Sequence, residues 1–383
     1  MANNKRVKAV AAAIPLLFVL AGCAGGAAPA ATEGSGGSSD AVAAAEKEVA
    51  AARETLTEIL TDEPLSGSVE GKTIAYAAPS FPVAEPIGAA IEEAATTLGM
   101  KFTRVDIGAT PDTVAAGMNQ IVQDKPDAVI VVAFDPNTFW KSQAEELEAA
   151  GIPTVGLGYV ACDSIRIECE DGDVGSSLSL VSIPESEAFG KLQAAAIIAD
   201  SGGKANAVYF GDPQLGNSPI IAKSFTERIE ECPDCTADTV DLSAADIGTT
   251  APGQIVSYLQ SHPEVKYISL QFGDFAIGVP QALKAAGLTD VKITSQASSK
   301  AQYDDIEAGG SQFADIPVPF PYLSYVAVDS AARLILGQEV TAEQAATPLI
   351  VMEKENLDLS DGGYWPGIEG YKAQFEELWS ANQ

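Results

Sequence analysis

Lys72 opens a regular alternation of short strand-like runs and helical stretches, and no other feature of this 383-residue sequence restricts its fold as strongly. Residues 73–77 form a short apolar strand. Residues 86–98 follow with Ile87, Ala90, Ile91, Ala94 and Leu98 on one helical face. Residues 102–107 are the next strand and 111–123 the next helix. Residues 128–132 are apolar throughout, as expected of a strand covered on both faces. Residues 137–149 read as a helix ended by Gly151, and 153–157 as a fourth strand. Four βα units in succession imply a parallel sheet with right-handed crossovers. The series then restarts. A helix over 185–200 is stopped by Gly202-Gly203. Strands at 205–210, 238–242, 267–270 and 291–294 alternate with helices at 219–231, 251–261, 275–286 and 300–308. A long helix over 321–336 and an amphipathic one over 367–379 complete the chain. The expected fold class is α/β, with two doubly wound parallel-sheet lobes.

The first 70 residues differ in kind. Lys5, Arg6 and Lys8 precede an apolar run over 9–20, shorter than the roughly 20 residues a bilayer-spanning helix needs. The following Leu20-Ala21-Gly22-Cys23 resembles the lipobox of bacterial lipoprotein signal peptides. That resemblance implies a signal peptide over 1–22, cleavage before Cys23, a diacylglycerol on the Cys23 sulfur, and a mature protein outside the cytoplasm, anchored by lipid to the cell membrane. Residues 24–39, rich in Ala, Gly and Ser, read as a flexible tether. Asp40 caps an expected spacer helix through Asp62, with Val42, Val49, Leu56 and Leu60 as its apolar stripe. Residues 23–70 are thus tether and spacer.

Charge and cysteine content narrow the function. The formal charge is −31, and removing the three basic residues of the signal takes it to −34. A polyanion of this size disfavours nucleic-acid partners. With Cys23 assigned to lipid, Cys162, Cys169, Cys232 and Cys235 remain, and an even number in an exported protein suggests the disulfides 162–169 and 232–235. No metal or cofactor is expected. One histidine, His262, gives no basis for a Ser-His-Asp set, and no GxxxxGK[ST] phosphate loop is present. Asp358-Leu359-Ser360-Asp361-Gly362-Gly363, with Glu369, matches a calcium loop only in part and reads as a surface turn.

Several segments, in order, resemble the type I periplasmic substrate-binding proteins, in the branch of the ribose-binding protein. They are 90–99 (AIEEAATTLG), Lys125-Pro126-Asp127-Ala128-Val129-Ile130, Ala150-Gly151-Ile152-Pro153-Thr154-Val155 and 276–287 (AIGVPQALKAAG). The resemblance implies a non-enzymatic, monomeric, two-lobed receptor that closes on a small solute and delivers it to the permease of an ABC importer. A ligand-sensing receptor of the same fold is the alternative. It also implies a three-segment hinge, near 182–185, 317–320 and 347–349. The N-terminal lobe is then 71–184 plus 319–348, and the C-terminal lobe 185–318 plus 349–383.

In open parallel sheets ligands bind beyond the carboxyl ends of the strands. Those exits carry Ser80 and Phe81, Phe134 and Asp135, and Gly158 and Tyr159 in the first half. In the second half they carry Asp212, Gln214 and Asn217, then Phe272 and Asp274, then Gln296 and Ser298. The final crossover brings Phe320 and Tyr322. Sugar binders of the resembled family present an Asn near the first strand, an Asp-Arg pair after the fourth, and Asn and Asp in the second lobe. Phe81, Gly158-Tyr159, Phe272 and Ala297 stand at the matching places, and the Asp-Arg pair is missing. The expected ligand is therefore sugar-like or planar, stacked on rings and anchored by an aspartate.

Overall fold

The structure, a computed structural model, describes residues 36–158, 162, 168–359 and 363–381. Cys23 and its lipobox, Tyr159, and residues 360–362 of the calcium-like segment lie outside the described residues.

A leading helix, α1 (Gly36–Ala51), precedes the first sheet. That sheet comprises β1 (Thr73–Pro79), β2 (Lys101–Gly108), β3 (Ala128–Val132), β4 (Thr154–Leu157) and the two-residue β5 (Leu178–Ser179). Its order is β2-β1-β3-β4-β5, all parallel. Register is fixed on both sides of β1, where Tyr76 lies opposite Arg104 and Ile130. The connecting helices are α2 (Ala84–Thr97), α3 (Pro111–Asp124), α4 (Pro136–Phe139) and α5 (Lys141–Ala149). Local chemistry sets their ends. Thr110 and Thr113 form a reciprocal cap at the start of α3, with Pro111 in the first turn where a missing N–H costs nothing.

After α6 (Ile183–Asp200) the plan repeats with β6 (Asn206–Gly211), α7 (Ser218–Glu230), β7 (Thr236–Asp241), α8 (Ala251–Ser261), β8 (Tyr267–Leu270), α9 (Val279–Ala285), β9 (Lys292–Gln296), α10 (Lys300–Ala308) and β10 (Gln312–Ile316). Next come α11 (Phe320–Ile335), β11 (Met352–Glu353) and α12 (Tyr371–Ser380). The second sheet runs β11-β10-β9-β8-β6-β7, parallel except for β11, which is antiparallel to β10. Without β11 this is the strand order of the first sheet. Each lobe therefore has one switch point, between β1 and β3 and between β6 and β8, where neighbouring crossovers leave in opposite directions and open a crevice.

The chain passes from the first lobe to the second between β5 and α6. It returns between β10 and α11, which packs on α2, β3 and β4, and leaves again before β11. The Thr347 hydroxyl donates to the Leu180 carbonyl (3.0 Å), tying two of these passages together. Two further passages exist. α1 lies on α6 and α7, where Glu48 pairs with Arg228 (3.0 Å), yet the chain that follows reaches the opposite lobe. There the Glu63 carbonyl accepts from Arg333 of α11. At the other end, the rings of Tyr371, Phe375 and Trp379 on α12 pack against Tyr325 of α11, and Lys372 pairs with Glu93 of α2 (3.0 Å). The expectation placed 349–383 wholly with the second lobe. The C-terminal helix belongs with the first, because its apolar face is covered by α11.

Other expected elements differ in extent. The spacer helix ends at Ala51, not Asp62. Beyond it the backbone is claimed by tertiary partners: the Ala52 carbonyl accepts from Val351 N–H, and Ile59 N–H donates to the Gln374 side chain. The helix over 137–149 is broken at Trp140, whose indole N–H turns back to the Phe134 carbonyl (2.9 Å). The helix over 275–286 is split into a 3₁₀ turn, Gly273–Ala276, and α9 by Gly278, which takes a left-handed φ of 81°. β10 escapes a periodicity reading because it carries Gln312 and Asp315. Asp315 is nonetheless fully buried and accepts from the hydroxyls of Ser295, Ser298 and Tyr303.

Candidate functional site

The two switch points face each other across one cleft. Its first-lobe wall is apolar: Phe81 and Val83 after β1, Val132 and Ala133 at the end of β3, and Gly158 after β4. The passages between lobes add Val181, Val318 and Phe320. The second-lobe wall is mixed. Leu215 and Asn217 follow β6, Gln271, Phe272 and Asp274 follow β8, and Gln296 and Ala297 end β9. A wider outer chamber, with Ser80, Asp212 and Gln214 on its walls, joins this cleft at a neck made of Phe81, Leu215 and Asp274.

Local backbone geometry aims these groups. Ala133 and Ala297 sit at the ends of β3 and β9 with φ of 73° and 53°, in the left-handed region. A residue with a Cβ pays for that conformation, of order 1 kcal/mol or more, and strain of this kind concentrates at ligand sites. Gly273 lies so close to Ser298 that a Cβ would come within 2.6 Å of its Cα. This close approach fixes the turn that carries Phe272 on one side and Asp274 on the other.

The polar groups of the second wall are spent largely on one another. Gln296 Nε2 donates to the Gln271 carbonyl (2.6 Å), and Gln271 Nε2 donates to Asn217 Oδ1 (2.9 Å). Gln271 Oε1 accepts from Asp212 N–H (2.8 Å). Asp212 accepts from the backbone N–H groups of Gln214 and Ala244, at 2.9 and 2.8 Å, and serves the loop and not the cleft. Asp274 is different. It is 7% exposed, burial pushes its pKa up to about 6, and no donor among the described residues reaches its carboxylate.

The cleft thus gathers Phe81, Asn217, Phe272, Asp274 and Gln296, while Ser80, Asp212 and Gln214 line the outer chamber. Three expected residues lie elsewhere. Tyr322 is fully buried, and its ring packs edge-on against Tyr371, so it serves the junction of α11 with α12. Phe134 is buried in the first-lobe core between Phe81 and Phe139, touching only the floor of the outer chamber. Asp135 caps α4 by accepting from Asn137 N–H (2.9 Å), as its position before Pro136 dictates. Reading strand exits missed Phe189, in the second turn of α6, and Leu215 and Gln271. A helix-borne ring at a lobe junction carries no such signal. Away from the cleft, Cys162 is joined to Cys169 and Cys232 to Cys235.

Both lobes with one strand order, a cleft at facing switch points and a multi-pass hinge agree with the sequence match, in which the periplasmic binding protein domain model covers residues 74–339. The chain belongs to this family. Solved structures share the fold. The glucose-galactose binding protein GanP from Geobacillus stearothermophilus superposes with a TM-score of 0.64 at 16% identity, over 76% of this chain and 100% of that one. A 5-methylthioribose transporter solute binding protein from Thermotoga lettingae gives 0.64 at 15%, over 82% and 100%. An ABC transporter periplasmic solute binding protein from Actinobacillus succinogenes, with bound D-allose, gives 0.62 at 20%, over 74% and 98%. No curated protein sequence matches the chain. Among the described residues no helix is long and apolar enough to cross a membrane.

Proposed function

We infer that this protein captures a small solute between its lobes outside the cytoplasm and hands it to the permease of an ABC importer. The observation that carries this reading is the cleft, whose walls come from both switch points and whose lining includes the passages between lobes. A solute touching Phe81 and Phe272 together bridges the lobes, and only the closed form offers both contacts, so binding shifts the population toward it. The sugar, methylthioribose and allose ligands of the structural relatives set the size expected here. The protein acts as a monomer and is not an enzyme. His262, the one histidine, stacks on Tyr258 at the end of α8 and is not among the residues that line the cleft. Cys23 carries the lipid anchor in this reading, and Cys23→Ala releases the protein from membranes or leaves it unprocessed.

The test is a thermal-shift screen against sugars, polyols, nucleosides and small aromatic compounds, followed by scattering with the best one. A bound solute at 100 times its dissociation constant raises stability by about 2.7 kcal/mol. It should also reduce the radius of gyration. A screen in which nothing raises the melting temperature refutes solute capture.

A further inference from the structure

The described residues include four buried aspartates, Asp212, Asp274, Asp315 and Asp329. Three are fully engaged. Asp212 takes two backbone N–H groups, Asp315 three hydroxyls, and Asp329 the Arg333 guanidinium and the Trp379 indole. Asp274 alone has no donor among the described residues, although it is 7% exposed and stands at the neck of the cleft. Its carboxylate oxygens are not sealed off from the space of the cleft, so a solute at the neck can reach them. Tyr364 is the other ionisable group that feels its field. No lysine, arginine or histidine occurs among the described residues lining either chamber.

The rest of the lining suits a particular kind of ligand. A sugar needs many donors and acceptors on both faces, and each hydroxyl left unpaired on burial costs affinity. Here the first-lobe wall presents hydrocarbon, and Gln271 and Asn217 are already bonded to each other. Anions are disfavoured by the carboxylate. A cation gains from both features, since its charge pairs with Asp274 and the faces of Phe81 and Phe272 attract it through the ring quadrupole.

Resting on the reading of the cleft as a solute site, we propose that the solute is a small organic cation, an amine or quaternary ammonium on a compact or flat apolar body, held by Asp274 between the rings of Phe81 and Phe272. The experiment measures calorimetric affinities of the full-length protein for matched pairs: choline against 3,3-dimethylbutan-1-ol, 2-phenylethylamine against 2-phenylethanol, and tyramine against tyrosol. Phenylacetate is the anionic control. The expected result is at least one amine binding about tenfold or more tighter than its neutral isostere, with phenylacetate weakest. Asp274→Asn, and Asp274→Ser as a second variant, should bring that pair to within about threefold. Melting curves of the ligand-free variants confirm that they fold. Neutral isosteres binding as tightly as the amines, or an amine preference that survives both substitutions, overturns the inference. If no amine binds but a sugar or polyol does, the cation is wrong and solute capture stands. If neither class binds, both fall.

Discussion

Phe272→Ala separates a ligand-contacting ring from a packing ring in one pair of measurements. Phe272 is half-buried, follows β8 at the switch point, and touches Phe275 with 4.7 Å between ring centroids. Without ligand, its truncation loses that aromatic contact and part of its packing on the second-lobe core, about 1–2 kcal/mol. With ligand, it loses the area a solute would cover, about 1–3 kcal/mol, or roughly 5- to 150-fold in affinity. Phe375 on α12 is the control. It is fully buried against Tyr325 and Trp379, so Phe375→Ala should cost about 3–5 kcal/mol of stability and leave the affinity of the folded fraction intact. The assay is thermal or urea unfolding of the ligand-free proteins, then calorimetry with the solute that most stabilises the wild type. The reasoning fails if Phe272→Ala melts as low as Phe375→Ala while binding normally, since the ring would then be core and the cleft assignment wrong.

Two further outcomes follow from buried charge. Burial pushes the pKa of Asp315 up to about 6 despite its three hydroxyl donors. Its folded form therefore binds a proton that the unfolded chain has released at about pH 4. Stability from this group is full below about pH 4 and lost as pH rises toward 6, by about 3 kcal/mol, and Asp315→Asn should flatten that part of the melting profile between pH 4 and 7. A variant profile as steep as wild type rules this out. Asp329→Ala should destabilise by about 3–5 kcal/mol, because it strands the fully buried Arg333, whereas Asp329→Leu combined with Arg333→Leu should recover most of the loss. Equal urea midpoints for the single and double variants would contradict this.

Much of this architecture was legible because it repeats. Ala128–Val132 and Tyr267–Leu270 announce themselves as buried strands, and strand exits locate Phe81, Phe272 and Asp274 without any structure. What the sequence concealed was set by distant partners. Gln312–Ile316 reads as polar until Ser295, Ser298 and Tyr303 are seen around Asp315. Phe134 and Tyr322 look like site residues by position, and only the rings placed against them by other segments show that they are packing. Phe189 reaches the cleft from a helix, where no strand-exit rule applies. The aspartates were indistinguishable in sequence, since a cap such as Asp135 and an unpaired carboxylate such as Asp274 differ only in which donors approach.

The additional passages between lobes bear on how such a cleft can move. A three-segment hinge would leave both ends of the chain free to follow one lobe. Here α1 is held to the second lobe by the Glu48–Arg228 pair and by Val42 against Gly203, while residues 59–66 are held to the first by backbone bonds to Gln374, Arg333 and Gln338. The C-terminal segment does the same in reverse, pairing β11 with β10 before α12 docks on α11. The two added passages meet where the Val351 N–H donates to the Ala52 carbonyl (2.7 Å). Phe320 begins α11 next to the returning passage, and Asp274 stands at the neck. With Phe81 on the first lobe and Asp274 on the second, any change in the angle between the lobes changes the separation of these two groups at the neck, so the pair is where a solute gains most from bridging.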